Sequence, residues 1–411
     1  MSERFSSEFF AGNRARLREL FTGTAPIVIT AAGLLQRAAD SAYAFQQDAN
    51  FWYLTGIDEP DVVLVMDKDK EYLILPELSD YQDIFDGGID TLALARVSGV
   101  EDVVDHKEGW RRLKIRIKKT QHLATVGALP VYLDLYGMYT NPARRQLIRA
   151  IKAINPTIEL LDLKSHLARL RMLKQPAELE VLQAAINITA VTLKEITVPA
   201  RLKKYDYEYQ MEADITQGFR SRGATGHAFT PIVAGGVRAT TIHSITNNAA
   251  LAVNDLVIID VGAELGHYAA DITRTISLSS KPSRRQQAVY AAVAEVQDFA
   301  LELLKPGTIM KDYETKIEHF MGEKLRELGL IKTINREKVR RYFPHATSHF
   351  LGLDPHDAGD YELPLEPGVV LTVEPGIYIP EERLGVRLED DVLITQRGTQ
   401  VLSRKLPRRL S

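Results

Sequence analysis

Leu256-Val257-Ile258-Ile259-Asp260-Val261-Gly262-Ala263-Glu264-Leu265-Gly266-His267-Tyr268-Ala269-Ala270-Asp271-Ile272-Thr273-Arg274-Thr275 reads as two apolar β-type runs joined at Leu265-Gly266, where glycine supplies the backbone freedom of a tight hairpin. With the turn centred there, Asp260 falls directly opposite Asp271. Two carboxylates paired on one face repel each other, so a shared proton or a cation is needed to neutralise them. Incidental acids at a turn are the plainer alternative. Against it, Asp260 closes an apolar strand, and an unpaired carboxylate at a buried strand end is costly.

A comparable pair occurs further on. Val370-Leu371-Thr372-Val373-Glu374-Pro375-Gly376 ends an apolar strand on Glu374 before a Pro-Gly turn. In Gly385-Val386-Arg387-Leu388-Glu389-Asp390-Asp391-Val392-Leu393-Ile394, alternation sets Arg387, Glu389 and Asp391 on one strand face. Alone, Glu389 with Arg387 two residues away reads as an ion pair; its placement parallels that of the Asp pair. Helical spacing over about 177–197 and 206–221 precedes the first strand set, and over about 284–304 and 311–328 the second, with strands expected at Val369–Val373 and Val386–Thr395. The pattern is an internal duplication: two helix–helix–sheet units in one domain.

Between them lies Phe343-Pro344-His345-Ala346-Thr347-Ser348-His349-Phe350-Leu351-Gly352-Leu353-Asp354-Pro355-His356-Asp357, with three of the chain's ten histidines. Ala346 excludes the His-Glu-x-x-His zinc helix. Gly352 and Pro355 indicate irregular loop, where functional side chains concentrate. Asp260, Asp271, Glu374 and Glu389 supply four negative charges and His349 one neutral nitrogen, a set that two divalent cations would balance. Oxygen-dominated coordination favours Mn²⁺ or Mg²⁺, with Co²⁺ or Zn²⁺ possible. The reaction class is metal-assisted hydrolysis.

The remainder of the chain sets the frame. At 411 residues the length suggests two or three domains, and 45% apolar with 26% charged residues is a globular composition. A net charge of −3 gives no general attraction to polyanions, so no nucleic-acid partner is expected. The basic run Arg111–Lys119 and the tail Arg404–Arg409 read as solvated charge. Zero cysteines exclude disulfides, thiolate catalysis and Cys-based metal sites. Met1-Ser2-Glu3-Arg4-Phe5 opens no export signal, and no apolar run is long enough to span a bilayer. The expectation is a cytoplasmic protein without a membrane partner. Short apolar runs (Pro26–Ile29, Val62–Met66, Tyr72–Leu75) between helical patterns give residues 1–165 an α/β signature, with a break near Lys164–Pro176. The fold class is thus α/β (α+β): an N-terminal α/β domain with a mixed sheet, 1–165, and a duplicated domain, 166–411.

Taken together, Asp260, the Asp271-Ile-Thr-Arg-Thr run, His349 in His-Ala-Thr-Ser-His-Phe-Leu-Gly-Leu-Asp-Pro-His-Asp, Glu374 in Thr-Val-Glu-Pro-Gly-Ile-Tyr and Glu389 in Arg-Leu-Glu-Asp-Asp resemble the pita-bread metallopeptidases. The likeness is to their aminopeptidase P (Xaa-Pro aminopeptidase) branch and covers nearly the whole chain. Tyr43–Pro60 looks like that branch's N-domain signature, which methionine aminopeptidase lacks. The resemblance implies a C-terminal pita-bread domain holding two cations, Asp260 chelating one, His349 and Glu374 the other, Asp271 and Glu389 bridging. It implies Glu374 as proton shuttle, and His243, His356, Arg387 and His345 as catalytic or supporting residues. The substrates implied are peptides with proline in second position, cut before the proline. Proline lacks an N–H and is rigid, which suits an apolar slot beside His356 and lowers the ordering cost of binding. The N-terminal domain would serve oligomerisation and substrate access in a homo-oligomer, dimer or tetramer. Two departures stand out: Ser244 follows His243 where the family usually has Tyr, and Ile84-Phe85-Asp86-Gly87-Gly88-Ile89-Asp90 replaces a Trp-x-Gly-Arg segment.

Three rivals share the fold: a prolidase restricted to Xaa-Pro dipeptides, a non-catalytic peptide-binding module, and a metal-free hydrolase like creatinase. The complete five-residue set argues against the last two.

Overall fold

The computed structural model describes residues 4–68, 70–85, 87–127 and 137–410. Met1–Glu3 and Asp86, which fall in two segments read above, lie outside the described residues. The chain divides into two compact units, Met1–Leu170 and Arg171–Ser411.

In the first unit, β1 (Ile27–Thr30), β2 (Val63–Asp67), β3 (Lys70–Ile74), β4 (Val103–Val104), β5 (His122–Thr125) and β6 (Glu159–Asp162) form one sheet in the order β4-β3-β2-β1-β5-β6. Antiparallel β1–β2 and β2–β3 pairs sit among parallel β1–β5, β3–β4 and β5–β6 pairs, so the sheet is mixed. The Tyr43–Pro60 segment contains the Ala49–Thr55 helix, whose first turn is capped by the Asp48 carboxylate accepting from Asn50 and Phe51 N–H. Phe51, Tyr53 and Leu54 on that helix are fully buried. The basic run lies largely on the His106–Ile117 helix, which buries Leu113 and Ile117 while Arg111 and Arg112 pair with Glu108 and Arg116 with Asp67.

The second unit contains two similar halves. The first has β7 (Gly226–His227), β8 (Ile232–Gly235), β9 (Leu256–Val261), β10 (Ala263–Leu265), β11 (Tyr268–Ala269) and β12 (Ile272–Ser277), with sheets β8-β9-β12 and β11-β10-β7. The second has β13 (Val370–Val373), β14 (Gly376–Ile379), β15 (Leu384–Arg387), β16 (Asp390–Thr395) and β17 (Gly398–Val401), with sheets β13-β16-β17 and β14-β15. Two helices precede each main ladder: Pro176–Ile196 and Glu208–Ser221, then Arg284–Leu303 and Met310–Glu327. These bounds lie within a few residues of the helical spacing. Pro176 opens the first helix, where Glu178 accepts from the Gln175 N–H at 2.8 Å; Ser283 and Gln286 cap the third reciprocally. The stripe Val289, Val293, Val296 and Ala300 packs into one apolar cluster with Leu371, Val373, Val386 and Val392. The halves are joined across their ladders: Glu389 N–H donates to Thr273 O at 3.0 Å, and Thr275 Oγ1 both accepts from Arg387 N–H and donates to Arg387 O.

Three expectations are corrected. The hairpin turn is Gly266-His267, one residue later than read, because both residues take left-handed φ (52° and 67°) while Leu265 is buried and pairs with Tyr268. Positive φ at both loop positions is what a two-residue hairpin with the native twist requires. Asp260 therefore pairs with Thr273, and alternation puts Asp271 diagonal to Asp260 on the same face instead of opposite it. The Val386–Thr395 strand is broken at Leu388-Glu389, because the chain leaves β14's partner strand and crosses to pair with β13. The basic tail is not simply solvated: Arg408 pairs with Asp298 at 2.7 Å and donates to Gln297 Oε1 at 2.8 Å, and Leu406 is buried.

Candidate metal centre

Apolar strands carry the acids to the junction of the two halves. β9 brings Asp260, the residue before β12 is Asp271, Glu374 follows β13, and Glu389 occupies the β15–β16 break. His349 arrives on an irregular loop fixed beside β13 by the Phe350–Leu371 bridge and by its own N–H donating to Thr372 Oγ1 at 3.3 Å. All five side chains sought from the sequence converge. Side-chain donor atoms of Asp271, His349 and Glu389 lie within 4.8 Å of one another. His349 Nε2 is 3.3 Å from Glu374 Oε1 and 3.7 Å from Asp271 Oδ2. Its Nδ1 faces Phe350 O at 3.1 Å, so Nδ1–H donates there and Nε2 faces the acids: protonated, it donates to Glu374, and without that proton it offers the lone pair of a metal-ligating imidazole.

The electrostatics fit cations. Burial, and then the charges of Glu389, Asp260, Asp391 and Glu374, push Asp271 well above the usual aspartate range. Burial, then Glu374 and Asp260, do the same to Glu389. Against burial, the hydrogen bond with His349 and the positive fields of His345, His349 and Arg387 bring Glu374 down to about 2. Among the described residues, Asp260 Oδ1 is buried without a hydrogen-bond partner, while Oδ2 accepts from Arg387 Nη2 at 2.5 Å. A free carboxylate oxygen buried beside three further acids is where divalent cations replace lost solvation. The donor set of four carboxylates and one imidazole suits them.

The supporting residues divide. Arg387 is buried and joins Asp260 to Thr273 Oγ1 (3.2 Å) and Tyr378 Oη (3.0 Å). His345 Nε2 contacts Tyr378 Oη at 2.8 Å, and its Nδ1 lies 3.7 Å from Glu374 Oε2. His356 stacks on His349, ring centroids 4.1 Å apart, and desolvation plus the neighbouring imidazole push it down to about 4. His243 sits exposed in a turn after the Gly236–Thr240 helix, near enough for its charge to act on His356. Ser244 beside it is buried.

Two contributors escaped the sequence reading, and a third, Asp391, was read only as sharing a strand face with Arg387 and Glu389. Tyr378 bridges His345 and Arg387, and burial raises its hydroxyl to about 12. Thr273 donates to Glu389 Oε2 at 2.6 Å. Asp391 accepts from the Asp271 N–H at 3.2 Å. Alternation from Asp271 would have found Thr273; Tyr378 stood inside the Glu374 motif without a signal of its own.

The duplicated α/β unit and its buried donor set define a metallo-exopeptidase with the pita-bread fold. The profile of Metallopeptidase family M24 matches residues 180–396, and that of the Aminopeptidase P, N-terminal domain matches residues 10–124. The chain is 33% identical to human Xaa-Pro aminopeptidase 3 over 90% of its own length and 76% of the relative's, and 31% identical to Escherichia coli Xaa-Pro aminopeptidase over 98% and 96%. The solved structure of zinc-substituted E. coli aminopeptidase P in complex with product superposes with a TM-score of 0.84 at 29% identity, covering 98% of this chain and 96% of that one. The chain belongs to metallopeptidase family M24, in its aminopeptidase P branch.

Proposed function

We propose that the enzyme removes the N-terminal residue from peptides with proline in second position, using two divalent cations, Mn²⁺ first among them. The observation that carries this is the convergence of Asp260, Asp271, His349, Glu374 and Glu389, with one Asp260 oxygen left free. The family match and the Xaa-Pro aminopeptidase relatives support the substrate class. Asp260 would hold one cation, His349 and Glu374 the other, with Asp271 and Glu389 between them; when bound, the cations supply Lewis-acid polarisation of the scissile carbonyl and activation of water.

The chain's own groups do the rest. Glu374, ionised at neutral pH, accepts a proton at a carboxylate oxygen and returns it to the leaving proline nitrogen. His356 and His243, on the open side of the site, orient the substrate carbonyl and hydrogen-bond the charge that develops there. Arg387 and Tyr378 hold Asp260 and His345 in place. We assign the first unit to substrate access and to assembly of a cytoplasmic homo-oligomer, dimer or tetramer.

The test combines elemental analysis with hydrolysis of an Xaa-Pro-Xaa tripeptide and an Xaa-Pro dipeptide, before and after chelation and Mn²⁺ add-back. Two metal equivalents per chain and metal-dependent tripeptide cleavage are expected. Cleavage of the dipeptide alone would make the enzyme a prolidase. Intact peptides and a metal-free chain that takes up no Mn²⁺ would overturn the reading.

A further inference from the structure

The loop that delivers His345 and His349 has almost no ladder of its own. Between the Arg336–Tyr342 helix and β13, its regular pairing among the described residues is two isolated bridges, Phe350–Leu371 and, at its far end, Val369–Leu173. Its backbone groups must be satisfied in another way. On the Met310–Glu327 helix, the Glu314 carboxylate accepts from Thr347 N–H with both oxygens at 3.0 Å and from Ser348 N–H at 3.2 Å. One residue earlier, Tyr313 Oη shares a 2.9 Å hydrogen bond with Ser348 Oγ. From the other side, Arg340, held by Glu318 at 2.6 Å, donates to His345 O at 2.8 Å. Thr347 O in turn accepts from Glu374 N–H at 2.8 Å. A single anion thus grips the two peptides before His349, and the same stretch of backbone sets the start of Glu374.

The first half uses the same device. Glu208, at the start of that half's second helix, accepts from Gly235 N–H and Ala249 N–H, both at 3.0 Å, and so clamps the segment carrying His243. Each half therefore spends one partly or fully buried helical glutamate on backbone amides beside a site histidine. Charge-assisted bonds to backbone amides are short and strong, and in a low-dielectric setting they fix geometry.

We infer that Glu314 is a positioning residue: by clamping Thr347 and Ser348 it fixes His349 and Glu374, and with them the affinity of the site for its cations. This rests on the metallopeptidase reading above. Partners behind metal ligands typically tune affinity or activity by about 10- to 100-fold, and that is the effect expected here.

The experiment measures Mn²⁺ affinity by competition with a chelator, the visible spectrum of the Co²⁺-loaded protein, and kcat and KM separately, for wild type, Glu314→Gln, Glu314→Ala and Met321→Ala. Met321, fully buried on the same helix, reports simple loss of stability. Glu314→Gln and Glu314→Ala should bind Mn²⁺ about 10- to 100-fold more weakly, show an altered Co²⁺ spectrum and lose kcat with little change in KM; Met321→Ala should melt earlier and keep wild-type affinity and spectrum. Affinity and spectrum unchanged in both Glu314 variants, with wild type active, would overturn the inference and leave the peptidase reading intact. A wild type that binds no Mn²⁺ would overturn both. Should neither Glu314 variant fold, amide exchange in the metal-free wild type decides: strong protection at Thr347 and Ser348 is expected, and free exchange overturns the clamp.

Discussion

At the level of single side chains, the centre is a balance of unequal carboxylates. Asp271 and Glu389 are held above their ordinary range by burial and by neighbouring carboxylates, while Glu374 is held at about 2 against burial by His349 and its cationic neighbours. Asp260→Asn should abolish metal retention and turnover while circular dichroism stays native; full activity would refute its role. Glu374→Gln should lower kcat by about 10²-fold or more, the usual range for a lost proton-transfer group. His356→Ala should cost about 10²-fold in kcat with metal content near normal, and metal loss in that variant would mean His356 holds the His349 ring instead of the substrate. Much of this was readable from residue types, because four acids at strand ends and one clustered histidine are anomalous for apolar strands. Glu314 was not: a glutamate on an amphipathic helix looks like any other until the loop it grips is in place.

Between residues and domains, what decides the site is how strands end. Asp271 stands where it does because the hairpin turns at Gly266-His267 and because Gly262 lets the chain pass against the Ala270 carbonyl; a Cβ at Gly262 would come within 1.6 Å of Ala270 O. Gly262→Ala should therefore destabilise the second unit by about 1–3 kcal/mol or more and weaken metal binding, read by thermal melting and chelator competition. Helix positions followed from 3.6-residue spacing, and the two ladders from their apolar runs. The hairpin register did not follow, since left-handed φ at His267 depends on burying Leu265. The β15–β16 break was equally hidden, because alternation runs through Leu388-Glu389 without interruption while the sheet partner changes.

For the molecule as a whole, two linkages are expected. Bound cations stabilise the folded form alone, so chelation should lower the melting temperature and Mn²⁺ at about 100 times its Kd should restore about 2.7 kcal/mol. A second linkage runs through Asp357, which bonds buried Arg171 and, at 3.0 Å, buried Lys174. Burial opposes its charge, but these two cations hold its carboxyl below the usual range. A depressed folded value means this stabilisation is present above the unfolded pKa of about 3.9 and is lost as pH falls through the folded one. Asp357→Asn should cost about 3–5 kcal/mol near neutral pH and flatten the acid limb of stability, measured by denaturant titration between pH 3 and 7.

The five converging side chains belong to positions 260, 271, 349, 374 and 389, so no short excerpt of the polypeptide can chelate as the whole does. Ion capture is then a late event in biogenesis, since a nascent chain must have emerged past Glu389 and closed both repeats before any donor set exists. Bound metal would also be a cross-brace spanning the duplication, and a protease nick at one exposed turn between the repeats would then leave fragments held together for as long as the metal stays.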